Sequence, residues 1–221
     1  MSHIIIGIHG LANKPPQQQH AQDWVAAIKE GLEKNCFLCK QSINFDAIHW
    51  ADINYSTPLI PDSEPYIPTP SDQPIKFYRD GWLSEIVSYF SDNIVDNVAK
   101  AREWLGVDPV TEAVLNNKLT DLSKYYYDSQ KRDTLREMVK KAVKANQHRR
   151  ITIIAHSMGS IIAYDALREL GQTETQLRVE NFITIGSPLG LPTVAMKIHT
   201  CCARPAWWRS GGSIWLTGVI L

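Results

Sequence analysis

The run Ile151-Thr-Ile-Ile-Ala-His-Ser157-Met-Gly159, continued by Ser160-Ile-Ile-Ala-Tyr-Asp-Ala-Leu167, constrains the fold of this chain more than any other stretch. β-Branched residues lead up to Ala155, and beyond Ser157 the apolar spacing changes from that of a strand to that of a helix. No loop separates the two, so the serine sits on a tight turn. Such a turn strains the serine backbone and brings strand and helix so close that side chains two residues either side collide. Gly159 meets that need, and Ala155 adds only a methyl. The layout is that of a nucleophile elbow, with Oγ exposed at the carboxyl end of a sheet. The helix N-terminus then points its free N–H groups at charge developing there. The competing reading is a buried strand followed by an ordinary serine N-cap.

A second segment favours the elbow. Ile4-Ile-Ile-Gly-Ile-His-Gly10 reads as a buried strand running into His9-Gly10, followed by Leu11-Ala-Asn-Lys-Pro-Pro16. Where an elbow serves acyl transfer, one oxyanion-hole N–H comes from the residue after the nucleophile. The other comes from a loop after an early strand, often opening with His-Gly. Met158 and Leu11 are therefore the candidate oxyanion-hole residues, both as backbone donors, and Gly10 lets the loop approach a bound carbonyl. Taken alone, this segment also fits a plain strand-turn-helix.

Together the two segments resemble the α/β-hydrolase fold family, in particular lipase- and esterase-like members, with Ala-His-Ser-Met-Gly in place of Gly-x-Ser-x-Gly. Phe182-Ile-Thr-Ile-Gly-Ser-Pro-Leu189 resembles the family's next core strand, whose Gly-Ser-Pro end borders the active site. The resemblance covers residues 4–12, 45–53 and 129–196. It implies a serine hydrolase acting on a small-molecule carboxylic ester, lipid-like or otherwise apolar, with Ser157 as nucleophile and neither cofactor nor metal. The family's order along the chain is Ser, then Asp or Glu, then His. Here no Asp or Glu follows Glu180, and His199 is the only histidine after Ser157. Several readings stay open. His199 serves as base with an acid from elsewhere, such as Asp52 at a strand's carboxyl end; His9 serves, although oxyanion-loop histidines in this family play a structural part; the chain is a non-catalytic scaffold that binds a ligand or partner; or its C-terminal part is missing or altered.

The architecture expected is α/β: a mainly parallel sheet with helices on both faces, a helical cap insertion and an incomplete C-terminal end. Gln19 to Asn35 has helical apolar spacing, and Phe45 to Trp50 reads as the next strand. Residues 1–56 and 128–199 form the core, and 57–127 form the cap, entered through a stretch holding six of the chain's 12 prolines. Residues 200–221 are an atypical tail: Cys201-Cys202, Trp207-Trp208 and Gly211-Gly212 occur without a single acid, a change that a shifted reading frame produces. One clear strand follows the elbow, Asn181 to Gly186, so the expected sheet has an exposed edge beside it and a route to self-association.

Charge and cysteine content narrow the alternatives. Lys plus Arg equals Asp plus Glu at 23 each, which disfavours a polyanion partner for the chain as a whole. Lys131 to Arg150 is strongly basic around a Leu135, Met138, Val139, Ala142, Val143 stripe, the pattern of a solvated helix packed on a sheet rather than a nucleic-acid surface. No phosphate-binding loop or dinucleotide glycine fingerprint is present. Cys36 and Cys39 lack a well-spaced second pair, so thiols packed at a helix end are expected rather than a zinc site. The N-terminal apolar run has no basic flank, and Ile214 to Leu221 is too short to span a bilayer. The expectation is a cytoplasmic protein without stable membrane insertion.

Overall fold

The computed structural model describes residues 2–38, 42–60, 125–174, 176–190 and the backbone of 213–217. Five strands form one sheet: β1 (His3–Ile8), β2 (Phe45–Ile48), β3 (Arg150–His156), β4 (Asn181–Ile185) and β5 (Ser213–Thr217). Their order is β2-β1-β3-β4-β5, with every neighbouring pair parallel. Around them lie α1 (Gln17–Cys36), α2 (Ala51–Asn54), α3 (Ser129–Ala145) and α4 (Met158–Thr173), with a 3₁₀ turn at Pro188–Gly190. The register sets Ile8 beside both Ile48 and Ala155, and His156 beside Ile185, so the central strands end together at one carboxyl edge.

The strands are apolar on both faces, as a covered parallel sheet requires. A Cβ at Gly7 would lie 3.1 Å from Trp24 of α1, whereas the side chain of the next residue, Ile8, touches Gly159 at the start of α4. Successive strand residues face opposite ways, so α1 and α4 cover opposite faces. The α4 side holds the dense core: Ile6, Ile8, Ile151, Ile153, Ala155 and Phe182 are closed to solvent against Ile161, Ile162 and Leu167. On α3, Leu135, Val139 and Val143 are buried at four-residue spacing, and Met138 and Ala142 pack partly against them. The basic side of α3 is tied to α4, with Arg136 and Lys140 pairing with Glu169 and Lys144 with Glu174.

Two expectations are corrected. The edge beside β4 is occupied, because β5 pairs along it from Asn181↔Ser213 to Ile185↔Thr217 and is a second strand after the elbow. Its Ile-Trp-Leu core has β-propensity but sits in a segment without regular polar alternation, which hid it. Cys36 is exposed at the end of α1 rather than packed; Cys39 lies outside the described residues, as do most of the cap region and of the tail. Among the described residues, no helix is long and apolar enough to cross a membrane.

One polar pair is sealed beneath α4. Tyr125 is fully buried and donates its hydroxyl to Asp165 Oδ2 at 2.6 Å. Burial pushes the Asp165 carboxyl above its ordinary range, with the Tyr125 hydrogen bond opposing that shift. Replacing Tyr125 by Phe removes the donor and leaves the acid dehydrated. The expected loss in urea-unfolding free energy is about 1–3 kcal/mol; a midpoint equal to the parent's would show that the pair contributes nothing.

Candidate active site

Ser157 links β3 directly to α4 with φ 49° and ψ −124°, outside the regions L-residues ordinarily occupy. The strain is held by one backbone bond to β4, one within the start of α4, and contact with the loop after β1. Ser157 N–H donates to Ile185 O at 2.9 Å, and Ser160 N–H donates to Ser157 O at 2.9 Å. Ser157 makes no side-chain capping bond, so its Oγ does not serve α4. Gly159 is obligatory. A Cβ there would lie 2.5 Å from the His9 carbonyl oxygen and 2.7 Å from that of Ile8, both backbone atoms. Met158, 1 % exposed, opens α4, and first-turn N–H groups of a helix have no intrahelical acceptor.

The loop after β1 reaches the same point. A Cβ on Gly10 would stand 2.8 Å from the Ser157 Cβ and 2.8 Å from His156 Nδ1, so the loop backbone rests against the serine. His9 fixes its direction. The His9 Nδ1–H donates to Gly10 O at 2.8 Å, while Nε2 accepts from Trp50 N–H at 2.9 Å and Ala51 N–H at 3.3 Å. In a trans peptide the N–H is antiparallel to the C=O. The Leu11 N–H, which shares its peptide with Gly10 O, is therefore aimed away from the His9 ring. Trp50 closes the clamp by stacking on His9 at 4.6 Å and donating Nε1–H to His9 O at 2.9 Å. Further along, Lys14 Nζ binds the carbonyls of Leu11, Ala12 and Asn13.

Burial drives His9 down to about 2, with Lys14, His20 and His49 adding to the effect against the Gly10 bond. The ring is neutral, and both of its nitrogens are engaged. His9 is thus part of the loop's scaffold. His20, 5.4 Å from the His9 ring and accepting from Trp24 Nε1, is lowered to about 4, again chiefly by burial.

Ser157 and Met158 lie at the start of α4, and the loop that continues into Leu11 meets Ser157 through Gly10. His199 lies outside the described residues. Asp52 sits in α2 just beyond β2, 65 % exposed, with its Oδ1 3.3 Å from His49 Nε2. Sequence reading missed three contributors: Trp50 as the clamp on His9, Lys14 as the cation gathering the loop carbonyls, and Ser187, whose hydroxyl meets Ser160. The only signal for Ser187 was its place in the Gly-Ser-Pro end of β4. A groove of about 540 Å³ is lined by His20, Asp23, Trp24 and Ile28 of α1 and by Ile154, His156 and Ile185, of which His156 precedes Ser157.

Over residues 116–189, about a third of the chain, the sequence matches the model of the family described as "Alpha/beta hydrolase of unknown function (DUF900)". That stretch carries α3, β3, Ser157, α4 and β4. The parallel sheet and its covering helices make the fold α/β, and the stretch that matches is similar to an α/β-hydrolase family. No curated protein and no solved structure matches the chain.

Two predictions follow from this packing. Gly159→Ala should lower the unfolding free energy by at least about 1–3 kcal/mol, since its Cβ meets backbone that cannot rotate away. Gly31→Ala is the contrast: nothing lies within 4 Å of its Cβ, and helix propensity favours alanine by up to about 1 kcal/mol. Comparable urea midpoints for the two variants would refute the close approach. Acid should also unfold the protein. The unfolded chain protonates His9 near the ordinary value of 6.5 while the native ring stays neutral down to about 2. The unfolded state therefore binds more protons throughout that window, and stability falls with pH by up to about 1.4 kcal/mol per unit. His20 adds to the fall between 6.5 and about 4. A urea midpoint that stays constant from pH 7.5 to 5 would contradict this.

Proposed function

We propose that this protein is a serine hydrolase acting on carboxylic esters, with Ser157 as nucleophile and the Leu11 and Met158 N–H groups as its oxyanion hole. The observation that carries the reading is the backbone of Ser157. A non-glycine residue held at φ 49°, ψ −124° between strand and helix, with the Gly10 loop against its Cβ, costs stability. An ordinary helix start would not need it.

In this reading Ser157 Oγ attacks the ester carbonyl while its proton passes to His199. The carbonyl oxygen becomes an oxyanion facing the two N–H donors and the positive end of α4. Collapse breaks the bond to the alcohol, which leaves with the proton from His199; water activated by the same base then releases the acid and restores the serine. Asp52 lies near the carboxyl edge of the sheet, as the acid that orients the base must. The groove lined by Trp24, Ile28, Ile154 and Ile185 supports an ester with an apolar part. The chain at the cap's Pro-rich start also returns to the loop: Asn13 Nδ2 donates to Thr57 O at 2.8 Å and Leu59 N–H to Lys14 O at 2.8 Å. That attachment supports a cap placed over the site. The second reading is a hydrolase-like scaffold that binds without catalysis; the lack of any Asp or Glu after Glu180 favours it.

A fluorescent fluorophosphonate separates the two, because it labels a serine only when a base activates it. The hydrolase reading expects labelling of the folded protein, none in Ser157→Ala, and a rate lower by about 10²–10⁴-fold in His199→Ala. Folded protein that stays unlabelled would favour the scaffold.

A further inference from the structure

The Ser157 carbonyl accepts a second donor besides Ser160 N–H. Ser160 Oγ, on a residue fully closed to solvent, donates to it at 2.6 Å. With its proton committed there, Ser160 Oγ has only lone pairs to offer Ser187 Oγ at 2.7 Å, so Ser187 is the donor of that bond. Ser187 Oγ in turn accepts from Leu189 N–H at 3.2 Å. The chain of bonds has one direction: Leu189 N–H to Ser187, Ser187 to Ser160, Ser160 to the Ser157 carbonyl. Gly186, at φ 57°, turns the backbone after β4 in a conformation disfavoured for other residues, between Ile185 and the serine that joins the relay.

We propose that Ser160 and Ser187 are positioning residues that lock the nucleophile elbow to the Pro188–Gly190 turn and so fix where Ser157 Oγ points. The inference rests on the serine-hydrolase reading and extends it to residues that touch no substrate. Ser157 N–H is already held by Ile185 O, so the relay adds the second grip, on the carbonyl side of the same residue. Both grips come from one end of β4. Ser160 is closed to solvent, and its hydroxyl bonds the Ser157 carbonyl and the Ser187 hydroxyl.

The test uses the full chain with Ser160→Ala, Ser187→Ala, their combination and Ser187→Thr. Fluorophosphonate labelling rates and hydrolysis of a short-chain aryl ester are measured, with each variant's folded fraction set by its melt. Each alanine variant is expected to lower the labelling rate and kcat about tenfold, the worth of one buried hydrogen bond, with KM and the pH profile unchanged. The double variant should be no slower than the slower single, since residues acting as one unit are not additive. Ser187→Thr keeps the hydroxyl and should recover most of the rate. Folded single variants reacting at the parent rate, or independent additive losses, would overturn the proposal. Amide hydrogen exchange decides the matter even if the parent chain neither labels nor turns over, which would count against the hydrolase reading alone. Ser160→Ala should speed exchange of the Leu189 amide about tenfold although its own acceptor is intact, and unchanged exchange would overturn the relay.

Discussion

The approach of α4 to the end of β1 is the constraint on which the rest of the site depends. The Cα of Gly159 lies so close to the Ile8 and His9 carbonyls that no side chain fits between them. That closeness follows from parallel neighbours whose strands stop at the same edge, Ile8 beside Ala155, with no loop between β3 and α4. It forces Ser157 into its strained conformation, because only a sharp reversal returns the helix over β1. It also delivers Gly10 to the Ser157 Cβ, so serine and loop meet through close packing rather than through a bond that could be lost singly.

His9 converts that contact into direction. The loop needs a side chain that donates on one side to Gly10 and accepts on the other from Trp50, at the reach of a ring. Neutral imidazole does both; a protonated ring would lose its acceptor and confront the Trp50 and Ala51 N–H groups with a like charge. The low affinity of His9 for a proton is thus the condition for the clamp, and burial supplies it. Trp50 contributes from the end of β2 by backbone, indole N–H and ring face together. Preorganised donors are effective in a site of this kind because they need not reorganise as charge develops.

Much of this was legible in the sequence, and the reasons are local. Strands β1, β3 and β4 announce themselves by β-branched runs ending in small residues, and α3 and α4 by their apolar spacing. Gly10 and Gly159 were legible because steric demand leaves one residue type. Interactions between elements distant in the chain were not. Trp50 read only as a strand terminus, since nothing in its surroundings names His9, 41 residues away, as its partner. Ser160 and Ser187 lie 27 residues apart, and a serine in a helix or beside a proline is unremarkable until the fold sets the two hydroxyls together. β5 was missed for a different reason: its composition carries no alternation, and its pairing comes from the open edge of β4 rather than from its own pattern.

The surroundings of Ser157 are therefore built from a compact set of parts: the end of β1, the β3–α4 turn and the end of β4. The stretch matching the hydrolase family holds the last two, while the His-Gly loop lies outside it at the start of the chain. The loop is nevertheless tightly seated, since a Cβ at Gly10 would meet His156 and Ser157, and one at Gly159 would meet the Ile8 and His9 carbonyls. A site assembled this way keeps the Gly10 loop in register with Ser157, because the spacing is set by contact distances between the ends of the strands.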